Sequence, residues 1–322
     1  MPLPAAATDE PQILIHFGEK VSQIKGSDTT GMLQLGVPWL AGRQEETVSL
    51  PKGKAGRSGN MITLENDAYL VGAATVDVSM RMEEPVHDIY KEVLDACALR
   101  GMHLHRAWNY VPRINELDHG LERYRQFNIG RWLAFEESFG RDLRSFMPAA
   151  SAVGSEGSQF AVFFVAGKTQ PLYLENPSQV PAYHYPADYG PKPPSFARAV
   201  LVKSSRETVG YLSGTASIEG HRSVGEGDWH AQFRTTMHNI QIMFERMGMP
   251  QMLSPKSRNG QSRLVMRDFK VYLRHPEILP LVQEWLAEET GLTGEQVMFL
   301  KADICRTELD IEMEAVVSRR IG

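Results

Sequence analysis

One layout occurs twice along this chain, and that repetition limits the fold more than any single residue does. In the second half, Trp229, Phe233, Met237, Ile240, Phe244 and Met247 recur at helical spacing over 228–247, and Gly248 supplies the stop. An apolar, β-rich run follows over 264–273. Pro276 then opens a second helix through Leu279, Val282, Trp285 and Leu286, which closes near Gly291. The first half has the same order. A helix over 86–99 carries Ile89, Val93, Leu94 and Cys97 on one face and ends at Gly101; a strand follows over 102–111 and a helix over 117–139. Strand signals precede each unit, at 75–80 in one half and at 199–203 and 209–213 in the other. This order predicts an α+β protein of two related domains, each a mixed β-sheet with helices packed on one face.

The chain has 322 residues, enough for two domains of ordinary size. Two stretches read as loops: 42–60, with Gly53, Gly56 and Gly59, and 147–158, which is small and polar. The second predicts the boundary, giving domains 1–150 and 151–322. Residues 1–10 read as a short lead-in and lack the charged and apolar regions of a signal peptide.

A formal charge of -5 argues against a nucleic-acid-binding face, though a single pocket in such a protein can still be positive. No window is long and apolar enough to predict a membrane span. Two cysteines, Cys97 and Cys305, give no disulfide framework, and a cytoplasmic location is expected. His103 and His105 share one side of a strand, but two such residues without a third make packing the better reading than a metal site.

The last strands are expected at 297–302 and 309–316. In the second, Leu309, Ile311 and Met313 alternate with Asp310, Glu312 and Glu314, giving one apolar and one acidic face. By alternation alone Glu312 reads as a solvated strand residue. Arg131 and Arg198 read as surface or ion-pair groups, Tyr124 as helix packing, Tyr185 as a loop anchor and Cys305 as a small buried hydrophobe.

Several segments in order change that reading. NPSQVPAYHYPADYGPKPPSFARA over 176–199, SGTASIEGH over 213–221, YRQFNIGRW over 124–132 and the segment 305–312 resemble the signatures of the chorismatase family. HNIQIMFERMG, FKVYLRHPEILPLVQEWLAEE and CRTELDIEMEAVV resemble the C-terminal part of the RidA/YjgF fold, so the resemblance implies two RidA-like domains. It implies an enzyme that removes the enolpyruvyl group of chorismate as pyruvate and needs neither organic cofactor nor metal. It places Tyr124, Arg131, Tyr185 and Arg198 on the substrate and Glu312 as catalytic acid, with Cys305 at the position typical of hydroxybenzoate-forming members. The expected product is therefore 3-hydroxybenzoate, with 4-hydroxybenzoate as a companion product. Hydrolysis to a dihydroxycyclohexadiene carboxylate is the alternative within the family. Arg306 resembles the carboxylate-holding arginine of RidA-like imine hydrolases, which keeps that activity, or simple metabolite binding, as further alternatives.

The chemistry suits the residue types. Chorismate carries two carboxylates, and each guanidinium can hold one through two parallel hydrogen bonds. Cleaving an enol ether needs an acid that is still protonated near neutrality, and burial or a neighbouring carboxylate can make a glutamic acid such a group. Site residues from both halves predict a pocket at their junction and a monomer that functions alone.

Overall fold

The computed structural model describes residues 10–26, 30–253, 265–292 and 294–320. Apart from Glu10, the expected lead-in lies outside the described residues, as does the start of the strand expected at 264.

Two large sheets share one strand order. The first runs Ala149–Ser155, His103–Pro112, Gln159–Gly167, Tyr69–Asp77, Met61–Glu65, Lys54–Ser58. The second runs Leu172–Leu174, Ala199–Lys203, Glu207–Ala216, Ile311–Arg320, Val265–Leu273, Val297–Lys301, Trp39–Gly42. Each contains a single parallel pairing, 149–155 with 103–112 in one and 297–301 with 265–273 in the other. In each, a helix connects the two parallel strands, as a parallel crossover requires. These are α2 (Arg123–Phe139) and α4 (Leu279–Thr290); α1 (Glu83–Leu99) and α3 (Trp229–Arg246) precede the first strand of each pair.

This correspondence corrects two readings. Residues 147–158 are not a linker: Ala149–Ser155 is the first sheet's equivalent of Val297–Lys301. Small residues there reflect close packing, since a Cβ on Gly154 would come 3.0 Å from Asp303 Cβ. A boundary at residue 150 would cut this sheet; it ends at Gly167, so a division that keeps it whole falls after that residue. The 42–60 stretch likewise holds the strands Glu45–Ser49 and Lys54–Ser58. The second helix of the first half starts late because residues 117–122 form a tight hairpin, with His119 and Gly120 at φ 51° and 80°.

Helices cover the outer face of each sheet. In Gln159–Gly167, Phe160, Val162, Phe164 and Ala166 join the core under α1 and α2, while Ala161, Phe163 and Val165 point the other way. Ile311, Met313, Ala315 and Val317 pack under α3 and α4. The inner faces meet in a shared core with Trp108, Tyr110, Tyr211 and Tyr272. A four-stranded sheet, Gln23–Gly26, Thr30–Leu35, Gln12–Phe17 and Glu45–Ser49, adds Ile13, Ile15, Phe17, Leu33 and Leu35 to it. The acidic face of Ile311–Arg320 therefore looks into the junction of the sheets: Glu312 and Glu314 are buried.

Candidate active site

A cavity of about 230 Å³ opens at this junction, and Tyr124, Arg131, Tyr185, Arg198, Cys305 and Glu312 all line it. Helix α2 supplies Tyr124, Phe127, Asn128 and Arg131, spaced so that one helical face carries them all. This face is fixed by a close helix crossing: a Cβ on Gly130 would lie 2.2 Å from the carbonyl oxygen of Glu83 at the start of α1.

Arg131 is 2% exposed and wrapped in rings, its guanidinium carbon 4.9 Å from the centroid of Tyr90 and 5.6 Å from that of Phe135. Its Nε and Nη2 meet no acceptor among the described residues, and burial pulls the guanidinium below its ordinary pKa. Arg198 donates from Nη2 to the Tyr185 hydroxyl at 2.7 Å and to the Val180 carbonyl at 3.2 Å, leaving Nε unpartnered. Unpaired buried donors are expensive, so two such guanidinium groups lining one cavity are suited to an anionic ligand.

Glu312 projects from the strand between Glu207–Ala216 and Val265–Leu273. Its Oε1 has no hydrogen-bond partner among the described residues. Burial first, then the Glu314 carboxylate, push it up to about 8, against the pull of Arg106 and Arg198. A bulge in Glu207–Ala216 makes room for it: pairing with Ile311–Arg320 shifts between Leu212 and Thr215. A Cβ on Gly214, inside that bulge, would fall 2.1 Å from Glu312 Oε1.

Cys305 and Arg306 sit on the loop before the last strand. Gln232 anchors this loop by donating to the Glu308 carbonyl at 3.0 Å and to Asp310 Oδ2 at 3.1 Å; Arg274 donates to the carbonyls of Leu309 and Arg306, each at 2.9 Å. Burial and the nearby Glu312 push the Cys305 thiol up to about 12, so it stays a thiol. The Tyr124 phenol is likewise driven well above its usual pKa by burial and Cys305. Arg306 is already engaged, donating to the His221 carbonyl at 3.0 Å and lying 4.3 Å from the Tyr189 ring centroid. His103 and His105 stand away from this cavity. His105 Nε2 meets the Thr169 carbonyl at 2.9 Å, and burial lowers its pKa to about 4, so the ring is neutral. Among the described residues no cluster of three or more His, Cys, Asp or Glu is placed to hold a metal.

Sequence reasoning missed Gly214, Ser151 and Arg106. Gly214 stood inside a quoted segment, but only the bulge reveals its task. Arg106 had no local signal, because its partners are far along the chain.

Fold and site together define a tandem α+β enzyme with an acid and two arginines in a cavity between its sheets. Residues 47–166 match the family described as chorismatase FkbO/Hyg5-like, N-terminal. The chain is 37% identical over 218 residues to a 3-hydroxybenzoate synthase of Streptomyces hygroscopicus, a match covering 66% of this chain and 62% of that protein's length. It is 35% identical over 257 residues to a chorismatase of Streptomyces rapamycinicus, covering 78% of this chain and 75% of the other. A crystal structure of a chorismatase superposes with a TM-score of 0.82 at 29% identity, over 98% of this chain and 95% of that one. The chain belongs to the chorismatase family. Among the described residues no helix is long and apolar enough to cross a membrane.

Proposed function

We propose that this enzyme converts chorismate to 3-hydroxybenzoate and pyruvate, with 4-hydroxybenzoate as a companion product. The observation that carries the reading is the meeting of a buried, proton-holding Glu312 with Arg131 and Arg198 in one cavity. Arg131 and Arg198 bind the two carboxylates, and Tyr124 and Tyr185 complete their shells. Glu312 delivers its proton to the vinyl methylene carbon. The ether carbon becomes an oxocarbenium centre, and the ring C3–O bond breaks as the side chain leaves as pyruvate. The oxygen of the ring 4-hydroxyl bonds to C3 and gives its proton to Glu312, restoring the acid. The resulting ring oxide isomerises, losing one ring hydrogen as a proton and gaining one on oxygen, to the aromatic hydroxybenzoate. No water is consumed. The partly buried Cys305 beside Glu312 disfavours an ordered water at the side chain, the competitor that gives the ring diol.

Two sheets of one strand order within a single chain wall the cavity, which supports a functional monomer. Two unpaired cysteines fit a cytoplasmic setting.

Purified protein incubated with chorismate is expected to release pyruvate and a hydroxybenzoate in equal amounts. Glu312→Gln should still bind chorismate while turnover falls by about a hundredfold or more. Absence of pyruvate from the wild type, or full turnover by the variant, would defeat the reading.

A further inference from the structure

Glu314 lies two residues beyond Glu312 on the same strand face, and the scheme above gives it no task. Its Oε2 accepts a hydrogen bond from Arg106 Nη2 at 2.6 Å and its Oε1 one from the Tyr272 hydroxyl at 3.1 Å. Lys270 Nζ stands 3.5 Å from Oε1 and pairs with Glu46 at 3.0 Å. Glu314 and Arg106 are 2% and 0% exposed. An ion pair so deeply buried is a poor way to gain stability, since apolar residues of the same shape serve as well or better.

A second observation ties this network to the cavity. Arg106 Nη2 also donates to Ser151 Oγ at 3.1 Å, and Ser151 lines the cavity wall. Arg106 therefore links Glu314 to the stretch of cavity wall where Ser151 and Glu312 meet beside Gly214. The charged and titratable groups about Glu312 come from five parts of the chain. Arg106 comes from His103–Pro112 and Glu314 from its own strand; Arg198 precedes Ala199–Lys203. Cys305 comes from the preceding loop, and Tyr124 and Arg131 come from α2. The arginines favour an ionised Glu312, which would be useless as an acid, yet an anionic substrate requires cations. Burial opposes them first, and Glu314 is the charged group that adds to it.

We propose that Glu314 is a positioning residue for proton transfer: its carboxylate, held by Arg106 and Tyr272, adds to burial in keeping the proton on Glu312 against the pull of Arg198. The inference rests on Glu312 being the acid. Residues two apart on a strand face stand roughly 7 Å from each other. At an effective dielectric of about 20, like charges at that separation shift a proton equilibrium by about one to two pH units.

The test is the pH profile of kcat/KM for chorismate, which reports the free enzyme. In Glu314→Gln the alkaline limb should move down by about one to two pH units, while the acid plateau keeps most of its height. Glu314→Asp should leave the limb near its wild-type position. A uniformly lower rate with an unmoved limb indicates a merely structural role and overturns the inference. Because Glu314→Gln strands Arg106, the paired variant Arg106→Met/Glu314→Met guards against a folding failure. Its limb should also move down, by less, because Glu314 outweighs Arg106 at Glu312; no movement there is equally fatal. Glu312→Gln run alongside separates the two ideas. If it turns over chorismate, the acid reading fails; if it is inactive and the Glu314→Gln limb stays put, only the role of Glu314 fails.

Discussion

A carboxyl group held protonated by its surroundings also links stability to pH. Glu312 titrates near 4.5 when free and about 8 in the fold. Between these values the native state binds the extra proton, so stability is full below about pH 4.5 and declines as pH rises through about 8. The slope is about 1.4 kcal/mol for each pH unit within that window. Glu312→Gln should flatten this decline, and the variant's melting temperature should exceed the wild type's at pH 9. Parallel curves for the two proteins would mean that Glu312 is ionised in the native state. The role in product choice proposed for Cys305 can be tested at the same scale. Cys305→Ala opens room for water next to Glu312 and should raise the share of ring diol at the expense of hydroxybenzoate, resolved by chromatography. An unchanged ratio would remove Cys305 from that role. These two residues also show how far reading the chain alone could go. Alternation over 309–316 correctly separates an apolar from an acidic face. It reads the acidic face as solvated because a strand's own pattern cannot say how many layers cover it. The strand is internal, with helices on one side and the first sheet on the other, so the acidic face is buried.

Elements position the site through contacts that spacing does not reveal. The helical reading over 117–139 captured the face with Tyr124 and Arg131 but not its first turn, which local hairpin geometry claims at His119 and Gly120. Nor did it show why Gly130 is glycine. With its missing Cβ only 2.2 Å from the Glu83 carbonyl, any larger residue must push α2 off α1. A backbone oxygen cannot swing aside as a side chain can. Gly130→Ala should cost about 1–3 kcal/mol of stability, the range for overpacking. It should also raise KM for chorismate, because Arg131 follows directly in the chain. A variant with wild-type melting temperature and KM would show that the helices separate freely. At the same scale, 147–158 was misread because AASAVGSEGS has the small-residue composition of a linker. In the fold those residues let one strand run close to Asp303 and to the bulge at Ser213.

The whole molecule reads as two copies of one layout, but it does not follow that they are two independent bodies. Strands of the two large sheets contribute to one shared core, where Trp108, Tyr110 and Phe163 from the first meet Tyr211, Tyr272 and Leu300 from the second. The strand Trp39–Gly42, from the first residues of the chain, forms the edge of the second sheet. A charged contact crosses the same junction, Arg106 to Glu314, and Lys270 to Glu46 ties the second sheet to the four-stranded one. Exposing one inner face would strip apolar surface from the other and strand buried charges on both sides. Unfolding of either half alone is therefore uphill. Denaturation should follow a single cooperative transition, although chains of this length often show more than one. Tryptophan fluorescence offers a probe on each side, from Trp108 in the first sheet and Trp285 on α4. With the other tryptophans replaced by phenylalanine, each reporter alone should give the same urea midpoint. Midpoints that separate would mean that each sheet and its helices hold together unaided, and the cavity at their junction would then open before either half is lost.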